Sequence, residues 1–113
     1  IADSASSHDP KWPSHIRVFD VREDGTLGGG RVFCTIDRGL PDGFRVDVEG
    51  NVWTSAGDGV HCYAPDGTLL GKILVPQTVA NVTFGGPRGN RLFITATKSL
   101  YAVYTATRGA QYC

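Results

Sequence analysis

Gly50-Asn51-Val52-Trp53-Thr54-Ser55-Ala56 returns later in the chain as Gly89-Asn90-Arg91-Leu92-Phe93-Ile94-Thr95-Ala96, offset by 39 residues at the glycine and 40 at the alanine. The strand after each copy repeats too, Val60-His61-Cys62-Tyr63 against Leu100-Tyr101-Ala102-Val103 at an offset of 40. One step earlier, Asp24-Gly25-Thr26-Leu27 recurs as Asp66-Gly67-Thr68-Leu69, offset by 42. A period of about 40 residues holding four short strands is that of a β-propeller blade. The sequence is therefore read as all-β and as a partial propeller.

The pattern around the repeats agrees. Fifteen glycines and six prolines punctuate short runs of Val, Ile, Phe, Tyr, Trp and Thr, and no helical periodicity persists over a dozen residues. Strands are expected at 16–21, 31–36, 44–48, 52–55, 60–64, 69–75, 79–84, 92–96 and 100–105. Asp-Gly turns are expected at Asp24-Gly25, Asp42-Gly43, Asp58-Gly59 and Asp66-Gly67, and Gly-Asn turns at Gly50-Asn51 and Gly89-Asn90. Residues 40–76 then form a complete blade, residues 1–39 the later part of the blade before it, and residues 77–113 most of the blade after it. Just under three blades leave a propeller open, since closure takes roughly four to eight. Either a longer parent protein or an assembly of several copies is expected, and the longer parent is favoured because Ile1 opens the chain and it contains no Met.

Composition removes several function classes. Lys and Arg total 11, as do Asp and Glu, so there is no electrostatic footprint for nucleic acid or an anionic membrane surface. No apolar run approaches the ~20 residues of a membrane helix, and residues 1–10 lack the charged start and apolar centre of a signal peptide. Neither nucleic acid nor membrane is an expected partner. Cys34, Cys62 and Cys113 are an odd number without a Cys-x-x-Cys pair, which argues against a disulfide framework and a structural zinc site. They favour a cytoplasmic over a periplasmic or secreted setting.

In a propeller the loops entering the innermost strands converge on the axis. Leu40-Pro41-Asp42-Gly43-Phe44 is such an entry: proline stiffens the approach, Gly43 is expected to permit an unusual backbone angle, and Asp42 is presented as a hard oxygen ligand or a general base. From the residues alone, a plain turn is the favoured reading of Asp42-Gly43 over a functional role.

The stretch from Leu40 through Pro41-Asp42-Gly43-Phe44-Arg45-Val46-Asp47-Val48-Glu49-Gly50-Asn51-Val52 to Trp53 resembles the signature of the family of senescence marker protein, gluconolactonase and luciferin-regenerating enzyme. The resemblance continues through Ala64-Pro65-Asp66-Gly67, the strand end before Pro76, Val82-Thr83-Phe84-Gly85-Gly86 and Leu92-Phe93-Ile94-Thr95-Ala96. Ala2-Asp3-Ser4, Ile16-Arg17-Val18-Phe19-Asp20-Val21 and Gly30-Arg31-Val32-Phe33 look like the preceding family blade. Thr54-Ser55-Ala56-Gly57-Asp58-Gly59-Val60 is typical of bacterial gluconolactonase-like members.

That resemblance implies a six-bladed propeller, a hydrolase of sugar lactones, and one divalent cation in the channel, with calcium, zinc, manganese and magnesium all admissible at a hard oxygen site. It implies that Asp42 is both metal ligand and catalytic base. The family's other ligands, a Glu of the first blade and an Asn of a Pro-Asn-Gly motif, have no counterpart here. The chain alone is thus expected to be inactive, holding one ligand of three. Two other readings share the scaffold: a non-catalytic interaction propeller, and an esterase or phosphotriesterase.

Other candidates are weighed against plainer roles. Asn81, with Thr83 two residues on, enters the last innermost strand and is a candidate substrate contact. Asp3-Ser4 ends a strand that could approach the channel. His8, His15 and His61 have no partner at ligand spacing and are read as solvent or packing residues. Asp47 is read as a turn or blade-to-blade hydrogen-bond residue. Trp53, Phe93, Phe33 and Tyr63 recur at equivalent places and are read as core between blades. No helix follows Gly85-Gly86-Pro87-Arg88-Gly89, so it is read as a hairpin turn, not a phosphate cradle.

Overall fold

The computed structural model describes residues 1–110 and is built from three antiparallel sheets packed face to face. The first sheet has the order β1 (Ala2–Asp3), β2 (His15–Val21), β3 (Leu27–Thr35). The second is a four-stranded meander of β4 (Phe44–Val46), β5 (Val52–Ser55), β6 (Gly59–Tyr63) and β7 (Leu69–Leu74). The third comprises β8 (Val79–Gly85), β9 (Arg91–Ala96) and β10 (Leu100–Tyr104). This is the part-propeller that the 40-residue repeat predicts, and each of the nine expected strands is present. The Cys113 reading lies outside the described residues; Cys34 and Cys62 are free thiols.

Cores lie between sheets. Ile16, Cys34, Ile36, Ala56 and Tyr63 fill the seam between the first and second, with Phe33 packed against them. Val60, Val75, Val79, Val82, Phe84, Leu92 and Ile94 fill the seam between the second and third. There Trp53 meets Phe84 edge to face, with ring centroids 5.9 Å apart and planes at 86°, a favoured aromatic geometry. Trp53 is thus core between blades. Its indole Nε1 donates to Asp47 Oδ2 at 2.9 Å.

Asp47 holds the turn between β4 and β5. Its carboxylate is buried and also accepts from the amides of Glu49 (2.9 Å) and Asn51 (3.0 Å) and from Asn51 Nδ2 (3.0 Å). Burial alone would raise its pKa, but these four donors hold it below the ordinary carboxylate value. Gly25, Gly50, Gly67 and Gly89 take the positive φ that their turns require. Gly86 does the same in the β8–β9 hairpin, where no helix follows.

One expectation is corrected. Asp42-Gly43 is no hairpin turn: residues 41–43 run as irregular chain straight into β4, and Gly43 is not among the positive-φ glycines. Glycine is needed there for space, since a Cβ would lie 2.0 Å from Asn81 Oδ1 and 2.3 Å from its Cγ. Ala5–Ser7 add one 3₁₀ turn to an architecture that is otherwise all-β.

Candidate functional site

The residues at the end of the sheets where β4 begins are fixed by backbone hydrogen bonds that cross from blade to blade. The Gly43 amide donates to Ala80 O at 3.0 Å, the Val79 amide to Ala56 O at 3.2 Å, and the Gly57 amide to Arg38 O at 2.6 Å. Ala80 can reach Gly43 because of a bulge in β8: Val79 pairs with Ala96 and Asn81 with Thr95, leaving Ala80 as the extra residue.

Asp42 sits within this frame. Pro41 beside it is fully buried, while Asp42 itself is exposed. Its amide donates to Ser55 Oγ at 2.9 Å and the Gly43 amide donates to the same oxygen at 3.1 Å; the Ser55 amide donates back to Gly43 O at 2.9 Å. Ser55 is fully buried, so its hydroxyl is a rigid clamp on the Asp42 backbone. The Asp42 carboxylate takes no hydrogen bond or ion pair from the described residues. It is an uncommitted anionic group on the wall of a cleft of about 420 Å³, shared with Ser4, Ser7, Gly39, Leu40 and Thr78. Sequence reasoning missed Ser55, which reads as one more β-strand hydroxyl; only its place opposite the entry loop marks it.

Asn81 lines a different cleft, also about 420 Å³, with Arg45, Thr83, Phe93 and Thr95. Its Oδ1 accepts from the neighbouring Val82 amide at 2.8 Å. The two site candidates therefore meet through Gly43, against which Asn81 packs, and not as side chains in one cleft. Ser4 does enter the Asp42 cleft.

The histidines stand apart from Asp42. His8 is exposed, and His15 Nε2 lies 3.2 Å from Asp3 Oδ2 without hydrogen-bond geometry. His61 is fully buried, with Nε2 2.6 Å from Asp58 Oδ1 and Nδ1 3.5 Å from the Tyr63 hydroxyl. Lys72 Nζ completes the cluster at 3.1 Å from Asp37 and 3.4 Å from Asp58 Oδ2. Burial would raise the Asp58 pKa, but the His61 hydrogen bond and charge, with Lys72, hold it below the usual range. Both ring nitrogens of His61 are occupied by residues of its own blade, Asp58 and Tyr63, which gives it a packing role.

Among the described residues, no group of three or more His, Cys, Asp and Glu side chains is arranged to hold a metal ion. Asp42 fits a hard cation as a single oxygen ligand: it is exposed, unpaired and set on a fixed backbone.

Comparison with known proteins identifies the family. The model of the SMP-30/gluconolactonase/LRE-like region matches residues 11–98. A gluconolactonase of Zymomonas mobilis is 42% identical over 73 residues, covering 63% of this chain and 20% of the relative. A pentonolactonase of Haloferax volcanii is 45% identical over 60 residues, covering 50% of this chain and 21% of the relative. Among solved structures, a gluconolactonase of Xanthomonas campestris matches with a TM-score of 0.74 and 42% identity, over 80% of this chain and 30% of its own. The calcium-binding protein regucalcin of Agrobacterium tumefaciens matches with a TM-score of 0.66 and 28% identity, over 76% of this chain and 32% of its own. The chain spans about a fifth of the length of the curated relatives it matches.

Proposed function

The chain belongs to the SMP-30/gluconolactonase/LRE-like family, and from that premise we propose that it is part of a propeller enzyme that hydrolyses sugar lactones with the help of one divalent cation. The observation that carries this reading is the Asp42 carboxylate: unpaired, exposed in a cleft, and mounted on a backbone clamped by buried Ser55. Relatives named as lactonases across this same stretch support the substrate class.

Lactone hydrolysis adds water to the acyl carbon and then breaks the bond to the ring oxygen, giving a hydroxy acid. Asp42 Oδ is the group that takes a proton from the attacking water and returns it to the departing ring alkoxide. Its clamped backbone lowers the cost of ordering the base in the transition state. Asp42, with ligands from other blades, would hold the divalent cation, which when bound would supply Lewis-acid stabilisation of negative charge on the carbonyl oxygen. The proposal for Asn81 is narrower, a contact to a substrate group reaching the neighbouring cleft.

The test is proton release on adding glucono-lactone to the full-length protein, with and without divalent metal. Asp42→Asn keeps the size of the side chain and removes its basicity, so kcat/KM is expected to fall by at least ~10³-fold. Activity retained within tenfold would overturn the assignment of Asp42.

A further inference from the structure

The connection between the second and third strands of a blade differs sharply among the three sheets. In the second sheet β5 ends at Ser55 and β6 starts at Gly59, leaving residues 56–58; in the third, residues 97–99 join β9 to β10. In the first sheet the equivalent connection between β1 and β2 is residues 4–14. The fold closes this hairpin with three residues elsewhere, so the added length serves something other than closure.

The long connection is ordered by its own bonds. Asp3 Oδ1 accepts from the Ala5 amide at 3.2 Å, and the Ser7 and His8 amides donate to Ser4 O and Ala5 O at 3.0 Å each. The Ser6 amide donates to Pro13 O at 3.1 Å, closing the loop on itself. Ser14 Oγ donates to Gly39 O at 2.7 Å, and the Ile36 amide donates to Ser14 O at 2.9 Å, tying the loop to the link between first and second sheets. That link is pressed onto the neighbouring hairpin so closely that a Cβ on Gly39 would lie 2.5 Å from the Gly57 amide nitrogen.

This bracing brings Ser4 and Ser7 to the wall of the Asp42 cleft. Both are exposed, and neither hydroxyl makes a hydrogen bond to the described residues; Ser4 precedes the 3₁₀ turn without capping it. Thr78 adds a third hydroxyl on the opposite blade. The lining contains no Lys or Arg. A wall of uncommitted hydroxyls beside one carboxylate suits a neutral, hydroxyl-rich ligand, and offers no basic side chain to a charged phosphate group.

Resting on the lactonase reading above, we infer that residues 4–14 form the specificity wall of this enzyme, and that Ser4 and Ser7 hydrogen-bond the hydroxyls of the lactone ring. They are positioning residues; the proton work stays with Asp42. Two hydrogen bonds to a neutral ligand, each contributing about 0.5–1.5 kcal/mol, correspond to roughly a 5- to 150-fold change in affinity.

The experiment compares the full-length wild type with S4A/S7A and S4T/S7T on two substrates, glucono-δ-lactone and δ-valerolactone, whose ring bears no hydroxyl. S4A/S7A is expected to raise KM for glucono-δ-lactone by at least fivefold with kcat nearly unchanged and to leave δ-valerolactone kinetics alone. S4T/S7T should recover at least part of the KM. Because both serines are exposed, the melting temperature should not move. Equal effects on the two lactones, or no effect on either, would overturn the inference while leaving Asp42 in place. A wild type that hydrolyses neither lactone would overturn the lactonase reading and this inference with it.

Discussion

Gly43→Ala should both destabilise the blade seam and disarm Asp42, for one geometric reason. The added Cβ would stand 2.0 Å from Asn81 Oδ1, 2.3 Å from Asn81 Cγ and 3.0 Å from Asn81 Cα. The backbone of Gly43 is not in the left-handed region, so alanine meets no conformational penalty and the whole effect comes from the clash. Asn81 cannot simply turn away, because its Oδ1 accepts from the Val82 amide at 2.8 Å and its carbonyl accepts from Thr95 Oγ1 at 3.3 Å. Either those contacts break or the 41–43 segment retreats and loses its Gly43 N to Ala80 O bond. Overpacking of this kind costs about 1–3 kcal/mol, and a lost hydrogen bond adds about 1 kcal/mol. A retreat of ~1 Å also misplaces Asp42, which is enough for roughly a 10²-fold fall in kcat. The assay is urea unfolding of the full-length protein alongside lactone turnover. Asn81→Ala supplies the control: it removes Cγ and Oδ1 but not Cα, so the double variant should recover about 1–2 kcal/mol relative to the sum of the single changes. A Gly43→Ala protein with unchanged midpoint and kcat, or strictly additive singles, would refute this account of Gly43.

The Asp47 turn gives a second test: Asp47→Ala orphans the half-buried Trp53 Nε1 along with the Glu49 and Asn51 donors and should lower unfolding free energy by about 3–5 kcal/mol; a loss below ~1 kcal/mol in urea titration would contradict it. Because the folded pKa of Asp47 lies below its unfolded value, its contribution is fully present above the unfolded pKa of about 4 and is lost as pH falls through the lowered folded pKa. Stability against pH below ~4 should therefore fall less steeply in Asp47→Asn than in wild type. Burial pushes the thiols of Cys34 and Cys62 up to about 11, with Asp47 adding to the effect at Cys62; at pH 7.5 both should react with a disulfide reagent only slowly until the protein is unfolded. The outer faces of the first and third sheets leave Val21, Leu100 and Tyr104 exposed by 75%, 67% and 74%, so the isolated 113-residue chain should self-associate in analytical ultracentrifugation; a monodisperse monomer would contradict this.

What the sequence made legible is what depends on period and on turn chemistry. Gly50, Gly67 and Gly89 mark positions where the chain needs positive φ, and such positions leave a trace in composition. Asp47 was legible as a turn residue because its main-chain partners lie two and four residues away. The role of Gly43 was not: the Asp-Gly pair looks like a turn, yet the constraint is steric and comes from Asn81 in another blade. Ser55 was hidden for a similar reason, since its Oγ serves two amides some dozen residues earlier. The bulge at Ala80 leaves no mark because alanine suits a strand and a bulge alike. A 3₁₀ turn as short as Ala5–Ser7 has no periodicity to detect.

The division between what is repeated and what is unique explains why the Asp42 end suits the proposed chemistry. The seams between sheets are filled by apolar side chains, so substitutions at Val60 or Ile94 act on packing and therefore on stability. At the Asp42 end the blades are joined instead through main chain, by Gly57 to Arg38, Gly43 to Ala80 and Val79 to Ala56. A bond between backbone amide and carbonyl uses no side-chain atom, so it survives a change of side chain wherever the new atoms have room, as they do not at Gly43. Ser4, Ser7, Asp42 and Thr78 stand on segments held in this way or braced by loop 4–14, and their side chains take little part in holding the fold. Such positions can change with the substrate at little cost to folding. The corollary is a split between two kinds of variant: changes at Ser4, Ser7 and Thr78 should alter substrate preference with unchanged unfolding midpoints, whereas changes at Ser55 and Gly43, which carry the frame itself, should alter both.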